Sequence, residues 1–277
     1  MGSGFSPLKS IRSGAPPEER LRRRASRRRG RSRLIDRFRA EAERCRCDED
    51  LRILLEEAAR ELGFAFFALL HHASLCSSSS GFIRLDNYPQ GWKEEVLARG
   101  WARDDPVHHA SARTNGGFAW TEIGELIPLS SRHREVLERS ALYGIGAGFT
   151  TPANVPGEPG GSCSFAVRRG ARFPERHLMN AELIGAHAFR AARRIHSYPA
   201  QGPRPHLNRR ERQCLALIAA GKSDWEAARI LGLSTETVRH YAKRARAAYD
   251  VVSRTQLVVH GLRDAVISFD EAIPPYR

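Results

Sequence analysis

Between Leu207 and Phe269, three short polar residues each stand three places ahead of a carboxylate or amide: Asn208 and Glu211, Ser223 and Glu226, Ser253 and Gln256. In each pair the first side chain can accept from the backbone N–H three residues on while the second accepts from the backbone N–H of the first, so both satisfy N–H groups that a helix start leaves without partners. Three helix starts are thereby predicted, at about 208, 223 and 253. Ser234 ahead of Thr235, Glu236 and Thr237 supplies a fourth, with a weaker partner at the third helical position, and Gly232 stands where a tight inter-helix turn needs positive φ. The helix opened by Ser234 carries Val238, Ala242, Ala245 and Tyr249 on one stripe and Arg239, Lys243 and Arg246 on another. A short helix, a glycine turn and a helix with one apolar and one cationic stripe form the arrangement in which the second helix enters a DNA major groove. A solvated amphipathic helix in an ordinary bundle is the competing reading of the basic stripe.

The order Leu207, Glu211, Leu215, Ala219, Gly221, Lys222, Ser223, followed by Ala228 to Leu233, Ser234, Thr237, Val238, and Arg254-Thr255-Gln256, resembles the C-terminal domain of the LuxR family of transcriptional regulators. Tyr241 stands where that family often has His, and Ala248-Tyr249 where Lys-Leu is frequent; both departures bear on the target sequence. On the groove-reading helix the candidate DNA contacts are Thr235, Thr237, Arg239, His240, Lys243, Arg244 and Arg246.

The 277 residues have room for two domains, and the net charge of +14 is uneven along them. Residues 1–33 hold 11 Lys and Arg against Glu18 and Glu19, residues 34–201 hold 21 of each sign, and residues 202–277 hold 13 against 8. The basic ends are therefore the polyanion-binding candidates, and the middle is neutral. Five cysteines, at 45, 47, 76, 163 and 214, form no disulfide framework and lack C-x-x-C spacing. Free thiols fit a reducing cytoplasm, and neither a membrane-spanning run nor the apolar core of a secretory signal is expected.

Residues 1–33 mix Arg, Gly, Ser and Pro, which predicts a disordered basic extension that is either a polyanion arm or inert. Leu34, Ile35, Phe38, then Leu51 to Leu62, have helical spacing, interrupted by the charged segment Arg44 to Asp50. Strands are predicted at Phe64–His71, Phe82–Asn87, Gly146–Thr151 and Ser162–Val167, with Ser77–Gly81 a turn before the second. Helices are predicted at about 90–99, 105–112, 131–143 and 175–195. The resulting fold class is α+β: an N-terminal α-β-α sandwich with an antiparallel sheet and a cavity between sheet and helices, joined to a small all-α domain of four helices. The expected boundaries are 34–196 for a ligand-binding domain, 197–206 for a Pro- and Gly-bearing linker, 207–270 for the helix-turn-helix domain and 271–277 for a tail. Leu178, Ala181, Gly185, Ala188, Ala192 and Ile195 form a stripe of mostly small residues on the last helix of the sandwich, fit for core packing or for a dimer contact.

Between these elements lie Asn87-Tyr88-Pro89, Trp92, Asp105-Pro106-Val107, Trp120 and the run Gly144 to Pro152. Taken singly, each tryptophan is a core candidate and Asp105 before a proline is a turn or helix-cap candidate. Their spacing resembles the autoinducer-binding domain of quorum-sensing LuxR-family members, so that the two resemblances together span roughly residues 34–268. The resemblance implies an N-acyl-homoserine-lactone ligand and no cofactor. It also implies that Trp92 donates to the lactone carbonyl, Tyr88 donates to the amide carbonyl, Asp105 accepts from the amide N–H, and Pro106, Trp120 and Gly148 shape the pocket. Val96 stands where these sensors generally have Tyr, and Ser164 joins the set from the strand at 162–167.

The chemistry is coherent by itself, since a neutral amide lactone needs donors for its carbonyls, an acceptor for its N–H and apolar burial for its tail. An unpartnered Asp105 in the empty pocket is expected to cost on the order of a few kcal/mol. The implied partners are palindromic double-stranded DNA, the small-molecule signal, a second copy of the chain and RNA polymerase. A regulator that answers a different small molecule, or none, is the alternative. An enzyme using Asp105 with His108, His109 or Cys163 lacks any accompanying nucleophile or phosphate-loop pattern, and a phosphoacceptor domain lacks its acidic cluster.

Overall fold

The computed structural model describes residues 33–72, 82–156, 158–196 and 205–273. Most of the basic extension, the Ser77–Gly81 turn, most of the linker and the last tail residues lie outside these ranges. The chain opens with α1 (33–44) and α2 (Asp48–Leu62), the charged interruption at 44–50 becoming the break between them. Asp50 closes that break, its Oδ2 accepting from the backbone N–H groups of Arg46 (2.8 Å) and Cys47 (3.3 Å).

Five antiparallel strands follow, interleaved with helices: β1 (Phe66–His71), β2 (Arg84–Asp86), β3 (Phe118–Ala119), β4 (Ile145–Ala153) and β5 (Gly161–Arg168), in the spatial order β2-β1-β5-β4-β3. The central pair registers Thr150 against Ser164 and Gly148 against Ala166. The four predicted strands are present, while β3 is an addition too short to carry an alternating pattern. The helices are α3 (Gln90–Arg99), α4 (Pro106–Ser111), α5 (Ile123–Leu126), α6 (Ser131–Leu142) and α7 (Leu178–Ile195). The last of these begins later than its periodicity suggests, because Glu175–His177 form a 3-10 turn.

Strand alternation divides the sheet into two faces. Phe67, Leu69, Cys163, Phe165 and Val167 point to one side, where they are buried with Phe38 of α1, Leu51 and Leu55 of α2, and Ala181, Ile184 and Ala188 of α7. Phe66 and Ala166 point to the other, with Trp92, Trp101, Val136 and Ile145. The sandwich with a central antiparallel sheet is thus the architecture of this half. The small-residue stripe of α7 serves the core: a Cβ added to Gly185 would lie 3.0 Å from Cβ of Cys163 and 3.1 Å from Cβ of Thr151. The stripe is consumed within one chain, which removes it as the dimer contact.

The C-terminal helices are α8 (Arg209–Ala219), α9 (Asp224–Leu231), α10 (Thr235–Ala248), α11 (Arg254–Arg263) and a final turn, α12 (Phe269–Ala272). Each predicted cap is formed. Asn208 accepts from Glu211 N–H (2.9 Å) and Glu211 accepts from Asn208 N–H (2.9 Å), with the same reciprocity at Ser223/Glu226 and Ser253/Gln256. Ser234 caps α10 alone, accepting from Thr237 N–H at 3.1 Å. A further box, Ser268 with Glu271, starts α12, an element absent from the four-helix expectation. Gly232 ends α9 at φ 65°, the left-handed turn predicted for it. Val238, Ala242, Ala245 and Tyr249 are buried as one stripe of α10.

Candidate functional site

On the second face of the sheet the helices do not close down completely. A cavity of about 120 Å³ remains between β1, β2, β5 and the helices α3, α4 and α6. Tyr88, Trp92, Val96, Asp105, Trp120 and Ser164 line it, six of the eight residues expected at a ligand site. The other two act from behind the wall. Gly148 lets β4 pass under Trp120, since a Cβ there would fall 2.4 Å from the indole Cε2. Pro106 is buried as the first residue of α4, where its missing N–H costs no helical hydrogen bond.

The polar groups of the cavity sort into engaged and available. Trp120 donates its indole N–H to Thr150 Oγ1 at 2.9 Å, and Thr150 shares a hydrogen bond of 2.8 Å with Ser164 Oγ. Trp120 and Ser164 are therefore tied to the sheet as wall. Trp92 is buried against Trp101 and Tyr143, yet its indole N–H has no acceptor among the described residues. Tyr88 packs on Phe66, and burial, with the carboxylates of Asp105 and Asp86 nearby, pushes its phenol well above the usual tyrosine range, so it stays a neutral O–H donor.

Asp105 corrects an expectation. Its carboxylate is not left without a partner: Oδ1 accepts from Val107 N–H at 2.8 Å as the N-cap of α4. The cap and the ligand acceptor coexist in one residue because a carboxylate has two oxygens, and Oδ2 stands 3.6 Å from His108 Nε2 at the cavity wall. His108 is itself oriented through Nδ1, 3.1 Å from Ala102 O, and stacks at 4.1 Å on His72, whose Nε2 lies 2.8 Å from Ser162 Oγ. Burial, reinforced by the neighbouring His108, lowers the His72 pKa to about 2. His109 points elsewhere, its Nε2 2.7 Å from Arg103 O. Cys163 is buried on the opposite face of the sheet, where desolvation raises its thiol pKa and disfavours the nucleophilic thiolate.

Several lining residues went unread in the sequence. Arg84 and Asp86 alternate with buried Leu85 along β2, so the period of two could have placed both on the cavity face; Lys93 joins them, its Nζ 3.3 Å from Asp86 Oδ1. Ser140 and Leu137 come from α6, and nothing in the local pattern marks them.

The candidate DNA contacts all fall on α10, but the structure separates them. Arg239, His240 and Lys243 are exposed. Thr235 is the first helical residue, and Thr237 shares a hydrogen bond of 2.8 Å with the cap residue Ser234. Arg244 is also exposed and is ion-paired with the buried Glu211 (3.0 Å), and Arg246 donates to Val252 O (2.8 Å), contacts that link α10 to α8 and to the turn before α11.

Comparison with known proteins agrees with both halves. Residues 48–194 match the family described as an autoinducer binding domain, and residues 205–260 match that of bacterial regulatory proteins of the luxR family. The transcriptional activator protein LuxR of Aliivibrio fischeri is 24% identical over 232 residues, covering 82% of this chain and 90% of that protein. The HTH-type transcriptional regulator y4qH of Sinorhizobium fredii is 28% identical over 184 residues, 65% of this chain, and the match spans only 56% of that longer protein. Among solved structures, Escherichia coli SdiA superposes with a TM-score of 0.57 at 21% identity, covering 86% of this chain and 97% of SdiA, a likeness of fold. The chain belongs to the LuxR family, as a transcriptional regulator and not an enzyme, with an autoinducer-binding domain ahead of its DNA-binding helix-turn-helix.

Proposed function

We propose that the cavity receives an N-acyl-homoserine-lactone-type signal, that the filled protein acts in the cytoplasm as a dimer on palindromic promoter DNA, and that it works there with RNA polymerase. The observation that carries the ligand reading is the set of available groups on one cavity: the Trp92 indole N–H, the Tyr88 hydroxyl and the second oxygen of Asp105. Two donors and one acceptor match the two carbonyls and one N–H of an amide lactone. Trp92 then binds the lactone carbonyl, Tyr88 the amide carbonyl and Asp105 the amide N–H, while Trp120, Val96, Pro106, Gly148 and Ser164 set the shape. Binding stabilises the 34–196 domain by mass action and favours a dimer that sets two copies of α10 one DNA turn apart. Arg239, His240 and Lys243 supply the contacts to DNA, with Thr235 and Thr237 at the helix start.

A second reading has its own support. Arg84, Asp86 and Lys93 give the cavity an ionic wall that a plain acyl tail does not need. SdiA, of the same fold, has been solved in complex with octanoyl-rac-glycerol, an acyl compound without a lactone. Mass spectrometry of the small molecule that co-purifies from cells supplied with extracts of the source organism separates the two, a lactone supporting the first and any other acyl or polar compound the second. Within the first reading, Asp105→Ala should abolish thermal stabilisation by added lactone while leaving DNA binding capacity. Arg239→Ala should do the reverse, and the opposite pattern would exchange the roles of the two halves.

A further inference from the structure

Three helices of the DNA-binding half meet at one carboxylate. Asp224, the first residue of α9, is only 16% exposed. Its Oδ1 lies 2.5 Å from Nη2 of Arg254, the first residue of α11, and its Oδ2 lies 3.5 Å from Nε of Arg239 on α10. One turn back on α10, Glu236 Oε2 lies 3.5 Å from Nη1 of the same Arg239 guanidinium. Lys243, one turn further along the same face, has no ion pair among the described residues. Arg239 is thus the one exposed arginine of α10 flanked by two carboxylates, ion-paired through Nε with Asp224 and hydrogen-bonded through Nη1 to Glu236.

A guanidinium has five N–H donors in a planar fork. With one donor at Nε and one at Nη1 beside carboxylates, three donors remain on this 61% exposed side chain, among them a terminal pair of one hydrogen on Nη1 and one on Nη2. That pair has the geometry for the O6 and N7 edge of guanine in a major groove. A mobile arginine would instead settle on phosphate, which carries no sequence information. A carboxylate beside the guanidinium also repels a phosphate that approaches it.

We propose that Asp224 is a positioning residue for sequence recognition: with Glu236 it aims the terminal N–H pair of Arg239 at a guanine and keeps the backbone phosphates from capturing it. The proposal rests on the reading of α10 as the base-contacting helix. Arg254, on the other oxygen, tethers α11 and takes no part in the aiming.

In vitro selection from a random duplex library tests this with the full-length chain, alongside salt titration of binding to one fixed duplex of unselected sequence. Wild type should enrich a motif containing a G·C pair that Arg239→Ala no longer prefers. Asp224→Ala should lose the preference at that same position by about tenfold. On the unselected duplex it should bind as tightly as wild type or tighter, with a salt slope steeper by about one because the freed arginine takes a phosphate. Arg254→Ala should keep the guanine preference, which separates aiming from the tethering of α11. If Asp224→Ala retains the preference that Arg239→Ala loses, the positioning role is overturned and base reading by Arg239 stands. If Arg239→Ala retains it, or wild type enriches no motif, the reading of α10 itself fails and the proposal with it.

Discussion

The two faces of the central sheet are built from the same strands and end differently. One face is packed shut: Phe165, Leu51, Leu55 and Ile184 are fully buried, and α7 comes so close that even a methyl on Gly185 would crowd Cys163 and Thr151. The other lines a cavity of about 120 Å³ with two tryptophans, a tyrosine, two aspartates and the basic residues Arg84 and Lys93. Large aromatics at spaced positions, two of them with polar edges, hold their neighbours apart where small residues would let helices approach. The closed face and the face that holds the cavity are thereby separated by one layer of backbone.

The comparison breaks most decisively under truncation. Phe165→Ala on the closed face should lower the unfolding free energy by about 3–5 kcal/mol. Val96→Ala on the cavity face, where one side of the residue already borders empty space, should cost less than about 1 kcal/mol. Urea unfolding of the two variants checks this, and equal costs would remove the asymmetry.

Overfilling comes next. Gly148→Ala places a methyl inside the Trp120 indole and should destabilise the empty protein by roughly 1–3 kcal/mol. It should also weaken stabilisation by any cavity ligand, because Trp120 must swing into the void; a change in melting temperature with unaltered ligand response would place Trp120 outside the binding wall.

The smallest effect sharpens the comparison through pH. His72 belongs to the cavity side and has its folded-state pKa lowered to about 2 from an ordinary 6.5. Above pH 6.5 both folded and unfolded states hold it neutral, and below that the unfolded chain takes up the proton first, so stability falls as pH drops. The loss from this residue should be on the order of 1–2 kcal/mol at pH 5. His72→Gln should flatten the decline in urea midpoint between pH 7 and pH 5, and an unchanged decline would assign it elsewhere, His71 being lowered by burial as well.

How far these features were legible depends on the range of the interaction behind each. Helix starts in the C-terminal half were readable because each cap is a contact over three residues: Asn208 with Glu211 needs no knowledge of the rest of the chain. Strand positions came through wherever a run was long enough to alternate, and β3, two residues at the sheet edge, was not. Tyr88, Trp92, Asp105 and Trp120 were anticipated because their spacing resembles a known family, whereas Arg84, Asp86 and Lys93 required the knowledge that β2 and α3 open onto the same space. Arg246 shares the helical face of Arg239, and Arg244 differs from both only by lying on another exposed side of the helix. Only the positions of Glu211 and of the Val252 carbonyl, brought in from other elements, turn Arg244 and Arg246 into links between elements.

The chain by itself determined where helices begin, which faces are apolar and that its two ends are basic. These are properties of local hydrogen bonding, periodicity and composition, all short-range along the chain. Tertiary structure alone decided that the small-residue stripe of α7 closes on the sheet, that Asp105 lines a cavity shared with β1, β2, α3 and α6, and that Asp224 gathers two arginines from two other helices. Each of those depends on which surfaces meet across long stretches of sequence, and packing of the whole chain, not the preference of any segment, settles which surfaces those are.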